Sequence, residues 1–203
     1  MNIIQIGCYN GGDKVSEFLK INKKHLSSVL LVDASSSALS EAKEFYKDFD
    51  EIKFRNVAVI DSDETEIEIF SPVDENNMSY SYCSVLESHV KAHKYIEGSK
   101  TPQEIKKQTV PATRINNLLK YFNDEYIERL YLDVEGLDCL ILNDIDFDKY
   151  DIGYIRFEHA HSEEAFSCNG PNLEKTLDLL CKYGYSILPD PNAKEDLIAI
   201  KNI

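Results

Sequence analysis

The sequence contains no tryptophan, only two methionines and few positive charges. Its 203 residues include 22 Lys and Arg against 36 Asp and Glu, which gives a formal net charge of −14. Such a charge repels phosphate backbones and anionic lipid headgroups, and no local cluster of Lys and Arg reverses that field. We therefore expect no nucleic-acid partner and no membrane partner. The sequence does not specify an oligomeric state.

Three further absences concern the cellular compartment. No apolar stretch approaches the length of a membrane span, and no basic leader with a cleavage site precedes the first apolar run. The five cysteines are odd in number and form no CxxC pair. This pattern is typical of reduced thiols rather than of a disulfide framework or a structural zinc site. Together these absences predict a cytoplasmic protein.

What the sequence does contain is an alternation of short apolar runs and amphipathic segments. Strands are predicted at residues 3–6 and 29–32, and in FRNVAVI, RLYLDV and IGYIRF, with helices between them. This order predicts a Rossmann-like α/β fold with a mostly parallel sheet and helices on both faces. Near the end, YSILP and DLIAI are joined by a linker too short for a crossover helix. These two runs should pair antiparallel as a hairpin at one sheet edge.

Residues 71–112 do not follow the alternation. The segment begins with a polar, turn-rich stretch and continues with VLESHVKAHKYI, which is typical of a helix. Insertions of this length are usually lids and binding loops, or else surface decoration. We interpret the chain as a single domain over residues 1–203, with residues 71–112 as an inserted lid or acceptor-binding segment.

The stretch IIQIGCYNGGD places glycines directly after the first predicted strand. A dinucleotide fingerprint, G-x-G-x-x-G, needs a second glycine where this chain has Tyr9, which argues against a bound pyrophosphate. Asp33 ends the second predicted strand, where a carboxylate can bind both hydroxyls of a ribose. The turn and the acid together indicate a nucleoside with little or no phosphate. The alternative is that Asp33 only caps the following helix.

The stretch YLDVEGLD places Asp133 and Glu135 at the end of a buried strand. Two acids at the ligand edge of a sheet can hold a cation, orient an amine or raise one another's pKa for proton transfer. The alternative is that they are acids placed before a helix, where its dipole favours negative charge.

The stretch RFEHAHSEE places Glu158, His159 and His161 at the end of the next predicted strand. A histidine there is a candidate base for deprotonating a hydroxyl near neutral pH, and with Asp133 it could also bind a metal. The alternative is a histidine with a structural role only. The remaining histidines are expected to be surface residues or parts of the lid; they are His25, His89 and His93.

These blocks, together with LLVDASSSAL, RNVAVIDSDE and VPATRINNLL, resemble the successive blocks of the FkbM-type S-adenosylmethionine-dependent methyltransferases. The order and spacing match over nearly the whole chain, and LDVEGLD followed by a strand ending in Glu-His is the most specific part. The resemblance implies a seven-stranded class I methyltransferase sheet whose C-terminal strand is antiparallel. It also implies methyl transfer to a hydroxyl of a sugar, a sugar-containing small molecule or a glycan.

The resemblance also implies roles for individual residues. Asp133, Glu135 and His159 are expected to be catalytic, with His159 as the first candidate for the base. Ser81, Ser84, Glu158 and His161 are expected on the acceptor side. The expected contacts to S-adenosylmethionine are Gly7, Cys8, Tyr9, Asn10, Gly11, Asp13, Asp33, Ala34, Ala58, Val59 and Asp133.

The carboxylates are also compatible with a divalent metal, which the sequence does not establish. Two other functions remain open. A non-catalytic module would bind adenosine or S-adenosylmethionine without methyl transfer, and a nicotinamide-dependent oxidoreductase would need the pyrophosphate site that Tyr9 obstructs.

Overall fold

The computed structural model describes residues 1–73, 83–92, 104–123, 126–159 and 170–202. The strands in these ranges are β1 (Asn2–Ile6), β2 (Ser28–Asp33), β3 (Ile52–Asn56), β4 (Ala58–Val59), β5 (Glu66–Pro72), β6 (Ile105–Thr113), β7 (Ile127–Leu132), β8 (Ile152–Glu158), β9 (Tyr185–Pro189) and β10 (Asp196–Lys201). The α-helices are α1 (Lys14–Ile21), α2 (Ser36–Phe45), α3 (Glu87–Ala92), α4 (Ile115–Leu119), α5 (Asp138–Asn143) and α6 (Pro171–Lys182). Short 3-10 helices occupy Lys23–His25 and Lys120–Phe122.

Seven strands form the central sheet, in the order β3-β2-β1-β7-β8-β10-β9. The pairs from β3 to β8 are parallel, and β10 runs antiparallel to both β8 and β9. The prediction of a mostly parallel seven-stranded sheet with an antiparallel C-terminal strand is therefore confirmed. The predicted terminal hairpin is also confirmed, with β9 at the sheet edge.

Helices cover both faces of this sheet, which explains why its central strands are mostly apolar. Ile3 and Ile4 are neighbours in β1 and are both fully buried, yet they pack into different clusters because successive side chains alternate between faces. One cluster includes Leu19 of α1 and Leu39 of α2. The other includes side chains of α4, α5 and α6. The fold therefore has three layers, with the sheet in the middle.

The run FRNVAVI does not form one strand, which corrects that prediction. Its first part belongs to β3, and the Val57 N–H then bonds to the Asp33 carbonyl at 3.1 Å. After this break Ala58–Val59 pairs with β6 in a separate three-stranded sheet ordered β4-β6-β5. The chain thus changes sheets beside the end of β2.

Part of the predicted insertion is regular structure. Strand β6 pairs antiparallel with the whole of β5, from Glu66 opposite Pro111 to Pro72 opposite Ile105. Ser84 bridges to Phe70 of β5, and α3 packs against the same strand. Residues 74–82 and 93–103 lie outside the described residues, so the lid role of residues 71–112 stays a prediction.

The cysteines differ from expectation at one position. Cys8, Cys83 and Cys181 are free thiols, whereas Cys139 is disulfide-bonded. The prediction of reduced thiols is therefore wrong at Cys139. Among the described residues, none of the helices combines the length and apolar character that a membrane span requires.

Candidate active site

A cavity of about 260 Å³ opens at the carboxyl ends of β1, β2 and β7. This is the edge at which open α/β sheets bind ligands. Four carboxylate side chains line it: Asp13, Asp33, Asp133 and Glu135. The described part of the lining contains no Lys or Arg. The cavity is therefore suited to a ligand that carries positive charge.

The first turn explains the glycines of the opening stretch. Gly7 has a φ of +78°, and a Cβ added there would lie 1.7 Å from the Asp133 carbonyl oxygen. A Cβ at Gly11 would lie 2.7 Å from the Tyr46 ring. Both glycines thus allow close approach within the protein itself. Gly7 in particular lets the turn after β1 lie against the end of β7.

Asp33 organises the turn from the neighbouring strand. Its Oδ2 accepts the Tyr9 N–H at 2.9 Å, and its Oδ1 accepts the Ser35 N–H at 2.8 Å. Burial raises the pKa of Asp33 to about 6, although these N–H bonds favour the ionised form. The N-cap of α2 is Ser35, whose Oγ accepts the Ala38 N–H at 3.2 Å. The helix-cap interpretation of Asp33 is therefore wrong, since Asp33 faces the cavity.

Asp13 has two structural contacts besides its place in the lining. Its Oδ1 accepts the Ser16 N–H at 3.0 Å, which caps α1. Its Oδ2 accepts a hydrogen bond from the amide of the buried Gln5. The start of α1 and strand β1 thereby fix this carboxylate at the cavity wall.

The turn after β7 contributes the other two acids. Desolvation by the surrounding protein, together with the negative charge of Glu135, raises the pKa of Asp133 to about 7, although its side chain is accessible from the cavity. Glu135 has a φ of +55°, an uncommon conformation for a residue with a side chain. Helix α5 begins only at Asp138. Asp133 and Glu135 therefore lie in the cavity wall ahead of the helix rather than in its first turn.

His89 contacts a side chain of the cavity wall, which the sequence did not indicate. It was expected to be a surface or lid residue, and it does lie within residues 71–112, but its side chain is only 1% exposed. Its Nε2 lies 2.8 Å from Oε2 of Glu135. Ser84, predicted on the acceptor side, lines the cavity, and its Oγ donates to the Glu135 carbonyl at 2.8 Å. No sequence signal links these positions to Glu135, since they are distant along the chain.

Glu158 ends β8 and His159 follows it, and neither is part of the cavity lining. Burial raises the pKa of Glu158 to about 9, with further contributions from the charges of Asp133 and Glu135. Its backbone N–H points to Oδ1 of Asp138 at 3.4 Å. The His159 N–H donates to the Glu195 carbonyl at 2.8 Å. The catalytic role of His159 and the acceptor role of Glu158 stay predictions.

The other predicted positions divide into three groups. Ala34, Ala58 and Val59 line the cavity as expected. Cys8 is fully buried in the core, and Asn10 accepts the Gly12 N–H at 3.0 Å, so neither lines the cavity; Gly11 does not line it either. The predicted positions outside the described residues are Ser81, His93 and His161.

Apolar lining residues from the second sheet were also missed. Ile69 of β5 lines the cavity, as do Cys83 and Val85 beside Ser84. Burial, with the nearby charges of Asp33 and Glu135, raises the pKa of the Cys83 thiol to about 12. That thiol is therefore neutral and acts as part of an apolar wall.

A metal site receives no support from the described part of the chain. Within it, three or more His, Cys, Asp or Glu side chains are nowhere grouped so that they could hold a metal ion.

Comparison with known proteins identifies one family. The family model of the methyltransferase FkbM domain matches residues 4–187. No curated protein sequence matches the chain significantly. Among solved structures, the methyltransferase FkbM from Methylobacillus flagellatus KT is similar with a TM-score of 0.56 and 10% identity, over 98% of this chain and 43% of that one.

Two further structures show weaker similarity. One is the CMeT domain of the citrinin polyketide synthase, with a TM-score of 0.47 and 14% identity over 98% of this chain and 46% of that one. The other is Aeropyrum pernix fibrillarin in complex with natively bound S-adenosyl-L-methionine, with a TM-score of 0.45 and 11% identity over 98% of this chain and 64% of that one. The chain spans less than two thirds of each of these three structures. At sequence identities this low, the similarity is evidence about the fold and not about the function of this chain.

Proposed function

The chain belongs to the methyltransferase FkbM domain family, and from that premise we propose that it transfers a methyl group from S-adenosylmethionine to a hydroxyl of a sugar, a sugar-containing small molecule or a glycan. The observation that carries the proposal is the cavity at the strand ends, with Asp33 on one side and Asp133 and Glu135 on the other. This arrangement separates a nucleoside-binding acid from a pair of acids suited to proton transfer.

The cavity fits the cofactor in charge and in its polar and apolar lining. Both oxygens of Asp33 accept backbone N–H groups, and since a carboxylate can accept about four hydrogen bonds, capacity remains for a ribose hydroxyl. Ala58, Val59 and Ile69 provide an apolar wall for an adenine ring. The carboxylates of Asp133 and Glu135 complement a sulfonium cation.

S-adenosylmethionine supplies an activated methyl group, so the protein has only to align the acceptor hydroxyl and remove its proton. Asp133 and Glu135 line the cavity, whereas His159 does not, so we assign these tasks to the two acids. With a pKa of about 7, Asp133 is suited to accept the proton near neutral pH. Glu135 then orients the hydroxyl. The shortage of positive charge in the described lining supports a neutral acceptor over a phosphorylated one.

The test is isothermal titration calorimetry with S-adenosylmethionine and S-adenosylhomocysteine. We expect micromolar binding that Asp33→Ala weakens about 10- to 100-fold, since a hydrogen bond to a charged group contributes about 1.5–3 kcal/mol. The exposed Asp50→Ala is the matched control. A correctly folded wild-type protein that binds neither compound would contradict the proposal.

Transfer of a tritiated methyl group to a panel of neutral methyl glycosides then separates catalysis from binding alone. Asp133→Asn and Glu135→Gln should abolish most of the transfer while the protein still binds S-adenosylhomocysteine. Binding of the cofactor with no transfer to any hydroxyl compound would instead favour a non-catalytic binding module.

A further inference from the structure

The contact between His89 and Glu135 joins a buried imidazole to a carboxylate of the cavity wall. His89 is 1% exposed and Glu135 is 19% exposed, and their side-chain atoms Nε2 and Oε2 are 2.8 Å apart. Burial of polar side chains is unfavourable unless they are hydrogen-bonded. An ionised carboxylate can only accept, so the imidazole donates from Nε2. Glu135 lines the cavity and His89 lies behind it.

The same segment also holds the backbone of Glu135. Ser84 Oγ donates to the Glu135 carbonyl, and this Oγ in turn accepts the Leu86 N–H at 3.0 Å. Ser84 is anchored to the small sheet by two backbone bonds to Phe70, at 2.8 and 3.0 Å. Residues 83–92 therefore contact Glu135 twice: Ser84 hydrogen-bonds to its backbone carbonyl, and His89 hydrogen-bonds to its carboxylate.

Glu135 needs such support because of its conformation. A non-glycine residue with a φ of +55° is strained by about 1–3 kcal/mol and persists only when its surroundings fix it. Neighbouring Gly136 has a φ of +112°, so the turn has little conformational preference of its own to hold the side chain. The orientation of the Glu135 carboxylate therefore depends on contacts from outside the turn.

We propose that His89 is a positioning residue of the active site, which holds the Glu135 carboxylate in the orientation that contacts the acceptor hydroxyl. The inference deepens the proposed function and rests on it. His89 does not itself touch the acceptor, since its side chain is buried behind Glu135. Its loss should leave cofactor binding intact and should lower turnover, because small displacements of an orienting group cost large factors in rate.

The test compares His89→Leu with His89→Gln, whose side-chain amide can donate from nearly the same place. With the best methyl glycoside of the panel, His89→Leu should lower kcat about 10- to 100-fold. The KM for S-adenosylmethionine and the affinity for S-adenosylhomocysteine should stay within about threefold. His89→Gln should recover most of kcat, and it also covers the case in which the leucine variant does not fold. His25→Leu, at an exposed histidine, is the control and should leave kcat unchanged.

A double variant tests whether the two residues act as a unit. His89→Leu combined with Glu135→Gln should be no slower than Glu135→Gln alone. The carboxylate that His89 positions is already absent in Glu135→Gln, so the loss of His89 should cost nothing more. Additive losses would overturn the positioning role. So would a fully active His89→Leu variant, or a loss confined to cofactor affinity.

A readout without an acceptor uses nuclear magnetic resonance on protein labelled with ¹⁵N in histidine. Glu135→Gln should shift the imidazole resonances that disappear in His89→Gln, whereas Glu41→Gln, at an exposed residue, should shift none. Unchanged His89 resonances in Glu135→Gln would overturn the inference. If the wild-type protein methylates none of the acceptors, both the proposed function and the inference about His89 are overturned. If the wild type is active and His89→Leu is equally active, only the inference about His89 is overturned.

Discussion

Gly7→Ala is the substitution that tests most directly how the cavity is built. At Gly7 the turn after β1 meets the end of β7, and the Asp133 N–H bonds to the Ile6 carbonyl at 3.0 Å. An alanine Cβ would lie 1.7 Å from the Asp133 carbonyl oxygen, closer than any real Cβ contact. The two strand ends would therefore have to separate, and Asp133 would move with them.

The expected loss of stability has two parts. An alanine at a φ of +78° adopts a left-handed conformation that costs about 1–2 kcal/mol. Forcing the backbone apart to relieve the contact costs about 1–3 kcal/mol more, as overpacked interiors do. The sum of about 2–5 kcal/mol is a large fraction of the free energy of unfolding of a typical domain.

The chain offers a matched control in Gly184, which has a similar φ of +83° but no atom within 4 Å of an added Cβ. Urea unfolding of Gly184→Ala measures the backbone cost alone, and changes in the unfolded chain are common to both variants. The difference between the two variants isolates the contact with Asp133. Equal losses of unfolding free energy in Gly7→Ala and Gly184→Ala would refute the argument that close packing of β1 on β7 requires this glycine.

Two further predictions concern charged side chains. Desolvation by the cavity wall and the charge of Glu135 raise the folded-state pKa of Asp133 to about 7, although its side chain is accessible from the cavity. Asp133 therefore stabilises the cofactor-free protein below its unfolded pKa, and that contribution is lost as pH rises toward 7. Asp133→Asn should flatten the decline in urea midpoint between pH 4 and 7, and an unchanged decline would assign it to other groups. Arg156 forms ion pairs with Asp190, through Nε at 2.8 Å, and with Asp196. Arg156→Met should lower the free energy of unfolding by about 3 kcal/mol at pH 7, because it leaves both acids without their partner. Adding Asp190→Asn and Asp196→Asn should recover much of that loss. A triple variant no more stable than Arg156→Met would show that the uncompensated acids are not the cause.

The central sheet could be predicted because its strands are buried on both faces. Residues 29–32 are uniformly apolar and residues 3–6 are apolar except for Gln5, and the structure places them in β2 and β1 in the middle of the sheet. The strand ends then follow from topology, since parallel strands bring their carboxyl ends to one edge. That rule placed Asp33, Asp133 and Glu135 correctly at the cavity without any knowledge of their contacts.

The second sheet could not be predicted for an equally physical reason. Strand β6 has the sequence IKKQTVPAT, and only one of its residues, Val110, is fully buried. A strand stabilised by backbone pairing along β5, with most of its side chains exposed, has no strong apolar pattern. The break at Val57 was also missed. It is marked by a backbone hydrogen bond from Val57 to Asp33, whereas the apolar run continues past it, so the sequence pattern gives no sign that β3 has ended.

His89 was missed because its environment is made by parts of the chain that are remote in sequence. A histidine in VLESHVKAHKYI has the same local pattern whether it faces solvent or a carboxylate. The burial arises only when α3 packs on β5 and brings residues 83–92 against the turn after β7. Sequence reasoning therefore finds the strand-end residues of such a site and misses the supporting ones.

The acids Asp33 and Asp133 lie in the cavity wall beside the glycine turn after β1, where their ionised forms are unfavourable. Gly7 allows β1 and β7 to approach, which places Asp133 in the wall of the cavity. There the surrounding protein and the charge of Glu135 raise the pKa of Asp133, so its ionised form is unfavourable although the side chain is accessible from the cavity. Desolvation likewise raises the pKa of Asp33, which is partly exposed at the end of β2. Since both ionised forms are disfavoured without a partner, a ligand that brings positive charge and hydroxyl groups should gain from pairing with them. The cavity thus favours a cationic nucleoside over a neutral or phosphorylated one, for the same physical reason that it lowers the stability of the cofactor-free protein.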